Sequence, residues 1–297
     1  MQEGNPSTSA IASAMCRASH LFVDDDPKIF RDDLALALSG CSNQVDLGNR
    51  LRQRYGPIEL KFGSDFGEFF AGVLRSAMIV RSRFAEEVME EALGRGIEQY
   101  VILGAGLDSF ALRRRDLASL LQVYEIDHPA TQQWKRTRIS ELEIPTPTNL
   151  RFVPLDFERQ MLTEALSSSD YRAHAPAVFS WLGVTMYLTK DAVRRTLQEV
   201  AAMARGSEIV VQYTVPEELV DTRHRQYLAE VRRINSELGE PWLSHFTPDE
   251  LAGQLQDVGF QRIEHLGPDE AHARYFAGRS DDLPCQTVHR LIRAQTK

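Results

Sequence analysis

The first third of the chain repeats its apolar residues with helical spacing. Phe66, Phe69, Phe70, Val73, Leu74, Ala77 and Met78 follow the i, i+3, i+4, i+7 pattern that places side chains on one helix face. A second stripe runs through Phe84, Val88, Met89, Ala92 and Leu93 and stops at Gly94 and Gly96. Glycine there is the usual punctuation of a helix C-terminus. Beyond residue 95 the texture changes. Short apolar runs at Gln99–Leu103, Leu120–Ile126, Leu150–Val153, Ala177–Trp181, Glu208–Tyr213, Phe260–His265 and Thr287–Arg293 read as strands. Helical patterns separate most of them, at Pro129–Glu143, at Asp191–Arg205, and after Thr247-Pro248-Asp249-Glu250, a capping box with proline at the first helical position.

Strands that are apolar nearly throughout and alternate with helices predict a doubly wound, mostly parallel sheet covered on both faces, an α/β fold. The expected organisation is a disordered 1–13, a helical cap over 14–95, a core over 96–214, a helical insertion over 215–246, and a last part of the core over 247–297. Ligands of such sheets sit beyond the carboxyl ends of the strands, so the chemistry is sought just after each strand.

After the first strand the chain reads Leu103-Gly104-Ala105-Gly106-Leu107-Asp108-Ser109. Glycines at this point permit a tight turn and a close approach of ligand to backbone, although a purely structural turn needs them too. A dinucleotide site would place a pyrophosphate at the following helix N-terminus. Asp108 stands there, and a fixed carboxylate repels it by on the order of a kcal/mol or more. The second strand ends in Asp127, 21 positions after Gly106. A carboxylate there accepts the hydroxyls of a ribose, or else serves as an N-cap for the next helix. Together they describe an adenosine-type ligand without a pyrophosphate, such as S-adenosylmethionine.

The string Tyr100–Phe110 with Arg113 resembles the signature of the leucine carboxyl methyltransferase family, whose bacterial branch holds many S-adenosylmethionine-dependent O-methyltransferases. Further similarities follow in order: Arg81-Ser82-Arg83-Phe84, Glu125-Ile126-Asp127-His128-Pro129 with Trp134-Lys135, Asp156-Phe157, and Gly183–Leu188. The resemblance spans about residues 15 to 295 and implies a class I methyltransferase fold with S-adenosylmethionine as cofactor and S-adenosylhomocysteine as product. It assigns the methionine carboxylate to Arg81, with Arg83 as the nearby alternative and Lys28 as a second cation. It places Gly104, Ala105 and Gly106 beneath the methionine portion. Asp127 would hold the ribose, Asp156 the adenine amino group, and Phe157 the ring. Leu182 stands where protein-methylating members carry a glutamate, which argues against a protein-tail acceptor.

Transfer to a carboxylate needs no general base, whereas a hydroxyl needs its proton removed. No catalytic residue is assigned. His20, His128, His174, His224 and His245 form no triad or metal spacing, and no metal is expected. Tyr187 and Tyr213 follow the fourth and fifth strands and are candidate acceptor contacts. Arg223, Arg225, Arg232 and Arg233 cluster in the insertion, where they would attract an acidic acceptor or form a solvated face. A nicotinamide-dependent oxidoreductase and a non-catalytic S-adenosylmethionine-binding module are the readings from other classes.

Composition narrows the partners. The 297 residues carry 34 basic and 42 acidic side chains, a net charge of −8. That balance disfavours generic nucleic-acid binding, which needs clustered basic residues. Cys16, Cys41 and Cys285 are too few and too scattered for a disulfide framework. No run reaches the ~18 to 20 apolar residues of a membrane span, and Met1–Ser13 lacks the features of a signal peptide. The expectation is a cytoplasmic enzyme with a small-molecule acceptor and neither a nucleic-acid nor a membrane partner.

Overall fold

The computed structural model describes residues 7–297. Helices α1 (Thr8–Val23), α2 (Ala35–Leu38), α3 (Gln44–Phe62) and α4 (Ser64–Gly94) precede strand β1 (Gln99–Leu103). Then come α5 (Phe110–Arg113), β2 (Gln122–Asp127), α6 (Pro129–Glu141), β3 (Leu150–Pro154), α7 (Leu162–Ser167), β4 (Val178–Trp181), α8 (Lys190–Ala201) and β5 (Glu208–Thr214). The chain closes with α9 (Thr222–Glu237), α10 (Pro248–Val258), β6 (Phe260–Leu266), α11 (Pro268–Ala271) and β7 (His289–Thr296).

The seven strands form one sheet in the order β3-β2-β1-β4-β5-β7-β6. Strands β1 to β5 pair in parallel, and β7 runs antiparallel to both β5 and β6. The buried strands β1, β4 and β5 explain the continuous apolar runs. Their alternate residues feed two separate cores. Val101, Leu103, Phe179, Trp181 and Val211 face one core with Leu197 and Leu251. Tyr100, Ile102, Val178 and Val210 face the other with Phe84, Val88 and Phe110. The strand order reverses between β1 and β4, so the two turns that follow them flank the crevice where such folds bind ligands.

Three expectations change. The two apolar stripes of the N-terminal third lie on one continuous helix, the 31-residue α4. The insertion contains a 3-10 turn at Glu217–Leu219 and one α-helix, α9, followed by an extended segment that is tied down by Leu243 N–H donating to the Met186 carbonyl at 2.6 Å and Phe246 N–H to that of Thr214 at 2.9 Å. The largest correction concerns the N-terminus: residues 8–13, expected to be disordered, belong to α1, whereas 1–6 lie outside the described residues. Alanine and serine carry α1 because small side chains let it pack closely, with Ala14 and Ala18 fully buried. Among the described residues no helix is long and apolar enough to cross a membrane.

Candidate active site

A cavity of about 700 Å³ lies over the carboxyl ends of β1, β2 and β4, roofed by α1, α3, α4 and the segment after α9. That volume falls within the ~300–1,000 Å³ typical of small-molecule sites. Its floor is the glycine turn. Gly104 has φ +68°, and a Cβ there would stand 2.2 Å from Val184 Cγ2, so glycine is required by both backbone and space. Arg17 holds the turn from above, donating from Nη2 to the Leu107 carbonyl at 2.6 Å and pairing with Asp32 at 2.8 Å. Lys135 holds it from below. Its buried ammonium bonds the Asp108 carbonyl at 2.6 Å and the Glu125 carboxylate at 2.5 Å.

Asp127 ends β2 at the cavity wall. One carboxylate oxygen accepts the Gly106 N–H and the other accepts the His128 N–H at 2.6 Å. Burial raises its pKa, and these two backbone hydrogen bonds oppose the rise. The N-cap of α6 is His128, whose Nδ1 accepts from Ala130 N–H at 3.3 Å, so Asp127 is free of that duty.

Arg81 comes from the middle of α4. Its guanidinium passes Gly183, where a Cβ would lie 2.4 Å from Nη1 and where φ is +73°. It then bonds Gln212 Oε1 at 3.0 Å and Ser13 Oγ at 3.1 Å. Both partners are neutral, and the sequence reading found neither. Burial, together with the nearby Arg17 charge, lowers the Arg81 pKa to about 10. A cation held among neutral groups at a cavity wall is suited to an incoming carboxylate, which would pair with it through both nitrogens.

Asp156 and Phe157, just after β3, also line the cavity. Asp156 accepts from Glu158 N–H at 3.0 Å, and the Phe157 ring packs 6.1 Å from that of Trp181. Tyr187 lines it too, its ring edge-on to Trp242 at 6.5 Å. Gly104, Ala105, Gly106, Asp127, Asp156, Phe157, Arg81 and Tyr187 are thus brought to one cavity.

Three predicted residues are not. Arg83, the alternative to Arg81, is exposed on α4 and pairs with Glu87 at 2.6 Å. Lys28 is turned back on its own loop and donates to the Asp24 carbonyl, off the cavity wall. Tyr213 points into the core below β5 and is fully buried there. The arginines of the insertion are also elsewhere: Arg223 pairs with Asp65 at 2.7 Å, Arg233 pairs with Glu230 and Glu237, Arg225 caps carbonyls of Glu217 and Val220, and Arg232 is absent from the wall. Residues missed by sequence reasoning include Arg54, Tyr55, Tyr227, Glu240, Trp242 and His289, all in the wall. Only folding brings these helices and β7 over the strand ends, and no local motif marked them.

A sheet of this order, with a glycine turn after β1 and an acid ending β2, is the class I methyltransferase fold. The profile of the family described as leucine carboxyl methyltransferase matches residues 10–201, and the chain belongs to that family. The Bacillus subtilis (strain 168) protein YktD, named as a candidate S-adenosyl-L-methionine-dependent methyltransferase, is 30% identical over 97% of this chain and 98% of its own. A protein of Mycobacterium marinum with the same description is 26% identical over 93% of this chain and 90% of its own. Among solved structures, a candidate methyltransferase from Thermobifida fusca YX aligns with a TM-score of 0.60 and 17% identity, covering 100% of this chain and 97% of that one.

Proposed function

We propose that this protein is an S-adenosylmethionine-dependent O-methyltransferase whose acceptor is the carboxylate of a small molecule. The observation that carries the cofactor is Arg81, a cation at the cavity wall whose hydrogen-bond partners among the described residues are the neutral Gln212 and Ser13. The methionine carboxylate supplies the missing anion, and Asp127 supplies acceptors for the ribose hydroxyls. Asp156 and Phe157, which line the same cavity, take the adenine in this reading. The cofactor, when bound, supplies a sulfonium-activated methyl group that an oxygen nucleophile takes as the carbon–sulfur bond breaks, leaving the thioether.

Asp108 opposes the nicotinamide alternative. Its Oδ1 accepts the Phe110 N–H at 2.7 Å, so the carboxylate itself occupies the start of α5 where a pyrophosphate would bind. The protein's remaining tasks are to align the acceptor and to exclude water.

The choice of a carboxylate over a hydroxyl rests on the bases near the sheet's end. Burial and the Arg81 charge push the His289 pKa down to about 3, which makes it a weak base. Burial raises the Tyr187 pKa, so its phenol stays protonated. Both carboxylate oxygens of Glu240 accept backbone N–H groups, from Thr8 at 2.9 Å and Ser9 at 3.1 Å. A carboxylate acceptor is already ionised near neutral pH and needs none of them.

The test is a panel of carboxylic acids and phenols incubated with deuteromethyl-labelled S-adenosylmethionine and read by mass spectrometry. Labelled methyl esters are expected, formed at a rate that is flat between pH 6 and pH 8.5. Labelled ethers, formed faster as the pH rises, would show that a hydroxyl is the acceptor.

A further inference from the structure

Helices α3, α4 and α9 close the cavity on the side away from the sheet, with Tyr55, Leu74, Met78 and Tyr227 in the wall. One cation in this apolar setting is not among the residues assigned above to the cofactor. Arg54, half-buried on α3, lines the cavity. Its Nε donates to the Tyr55 hydroxyl at 3.1 Å, and its guanidinium lies 5.6 Å from the centre of that ring. Among the described residues no carboxylate pairs with it, although most arginines of the chain, such as Arg17, Arg75 and Arg113, have one.

A second observation points the same way. Tyr227 on α9 is fully buried, lines the cavity, and its hydroxyl has no hydrogen-bond partner among the described residues. Its ring packs on Phe70 at 4.9 Å, and Phe70 in turn packs on Tyr55 at 5.8 Å, so the aromatic wall links it to Arg54. Buried donors are rarely left unpaired in folded proteins. A guanidinium with no carboxylate partner and a hydroxyl with no acceptor among the described residues, set among aromatic rings, describe a receptor for an anion on an apolar body.

We infer that Arg54 and Tyr227 bind the carboxylate of the methyl acceptor, and that the acceptor is a monocarboxylic acid with an apolar, aromatic-sized body. This rests on the methyl-transfer reading above. One carboxylate oxygen attacks the methyl carbon; the new carbon–oxygen bond forms as the carbon–sulfur bond breaks, and the bonding pair stays on sulfur. The acceptor's negative charge and the sulfonium's positive charge vanish together, so no proton moves. Arg54 then faces a neutral ester, and the loss of the ion pair favours product release over substrate release.

The experiment uses the full chain saturated with S-adenosylhomocysteine and titrates phenylacetate, 3-phenylpropionate, hexanoate and the uncharged phenylacetamide by calorimetry. At least one carboxylate is expected to bind and the amide not. Arg54→Gln should weaken that carboxylate at least tenfold with S-adenosylhomocysteine affinity unchanged. Arg54→Lys should recover part of the loss, and Tyr227→Phe should cost severalfold. The inference is overturned if no carboxylate binds the wild-type complex, if Arg54→Gln binds it equally well, or if Arg54→Gln loses S-adenosylhomocysteine instead. Failure of the wild-type chain to bind S-adenosylhomocysteine at all would instead overturn the cofactor reading on which the inference stands.

Discussion

Gly183 is glycine because an arginine passes over it. A methyl group there would press on the Arg81 guanidinium at 2.4 Å, and the backbone sits at φ +73°. Gly183→Ala is therefore expected to displace Arg81 and to weaken S-adenosylhomocysteine binding about tenfold, roughly the 1.4 kcal/mol that a partly lost charge-assisted hydrogen bond represents. Calorimetry reads this, and unchanged affinity would mean that Arg81 does not face the ligand. Asp127 makes a second residue-level case. Asp127→Asn keeps one acceptor oxygen but removes the charge and one of the two backbone hydrogen bonds. A loss of about 2 kcal/mol, some thirtyfold in affinity, is expected for it. Asp127 was legible in the sequence because a strand end is a local pattern, whereas Gly183 entered only as part of the family resemblance. Gln212 and Ser13 were not legible, since they contact Arg81 across separations of 131 and 68 positions. Lys28 misled for the opposite reason: a cation at the right place in a motif says nothing of where its side chain turns.

Helix α1 is the element whose role sequence hides most. Its residues are small and polar at the start, which reads as a frayed terminus, yet its first turn is pinned by Glu240 from the segment after α9. A carboxylate at a helix N-terminus satisfies free N–H groups and meets the positive end of the helix dipole. The pairing closes the cavity roof between two elements more than 200 positions apart. Glu240→Ala should cost about 1–2 kcal/mol of local stability, comparable to the loss of an N-cap. Hydrogen exchange is the suitable measurement: amides of residues 8–20 should exchange faster in the variant, and S-adenosylhomocysteine should dissociate faster. Equal protection in both proteins would deny Glu240 this role. The strands and the later helices were readable to within a few residues, because their apolar runs and the Thr247 capping box are local. Helix α4 read as two stripes because the change of buried face along a long helix looks like a change of element.

At the scale of the molecule, strand order and the antiparallel β7 followed from no local pattern; they arise from which apolar faces meet once the chain is closed. The buried charges that the closure creates give the molecule a pH dependence. Burial raises the Glu86 and Glu125 carboxyls to about 7, although Arg113 and Lys135 pull the other way. Between about pH 4.5 and 7 the folded chain thus holds protons that an unfolded chain with ordinary carboxyls has released. Their contribution to stability is present at the acid end of that window and lost as the pH rises through it. Thermal melts should show the transition temperature falling from pH 5 to pH 7.5, with a smaller fall in Glu86→Gln. A transition temperature that rises over the same interval would contradict the assignment.

If the cavity over β1, β2 and β4 binds S-adenosylmethionine through Arg81, calorimetric titration of S-adenosylhomocysteine into the wild-type chain and Arg81→Ala reads it out with no acceptor needed. The expected result is one site per wild-type chain, no comparable binding of NAD, and at least a tenfold loss in a variant that melts as a folded protein. Absence of binding to the wild-type chain, or an affinity untouched by the substitution, would contradict it.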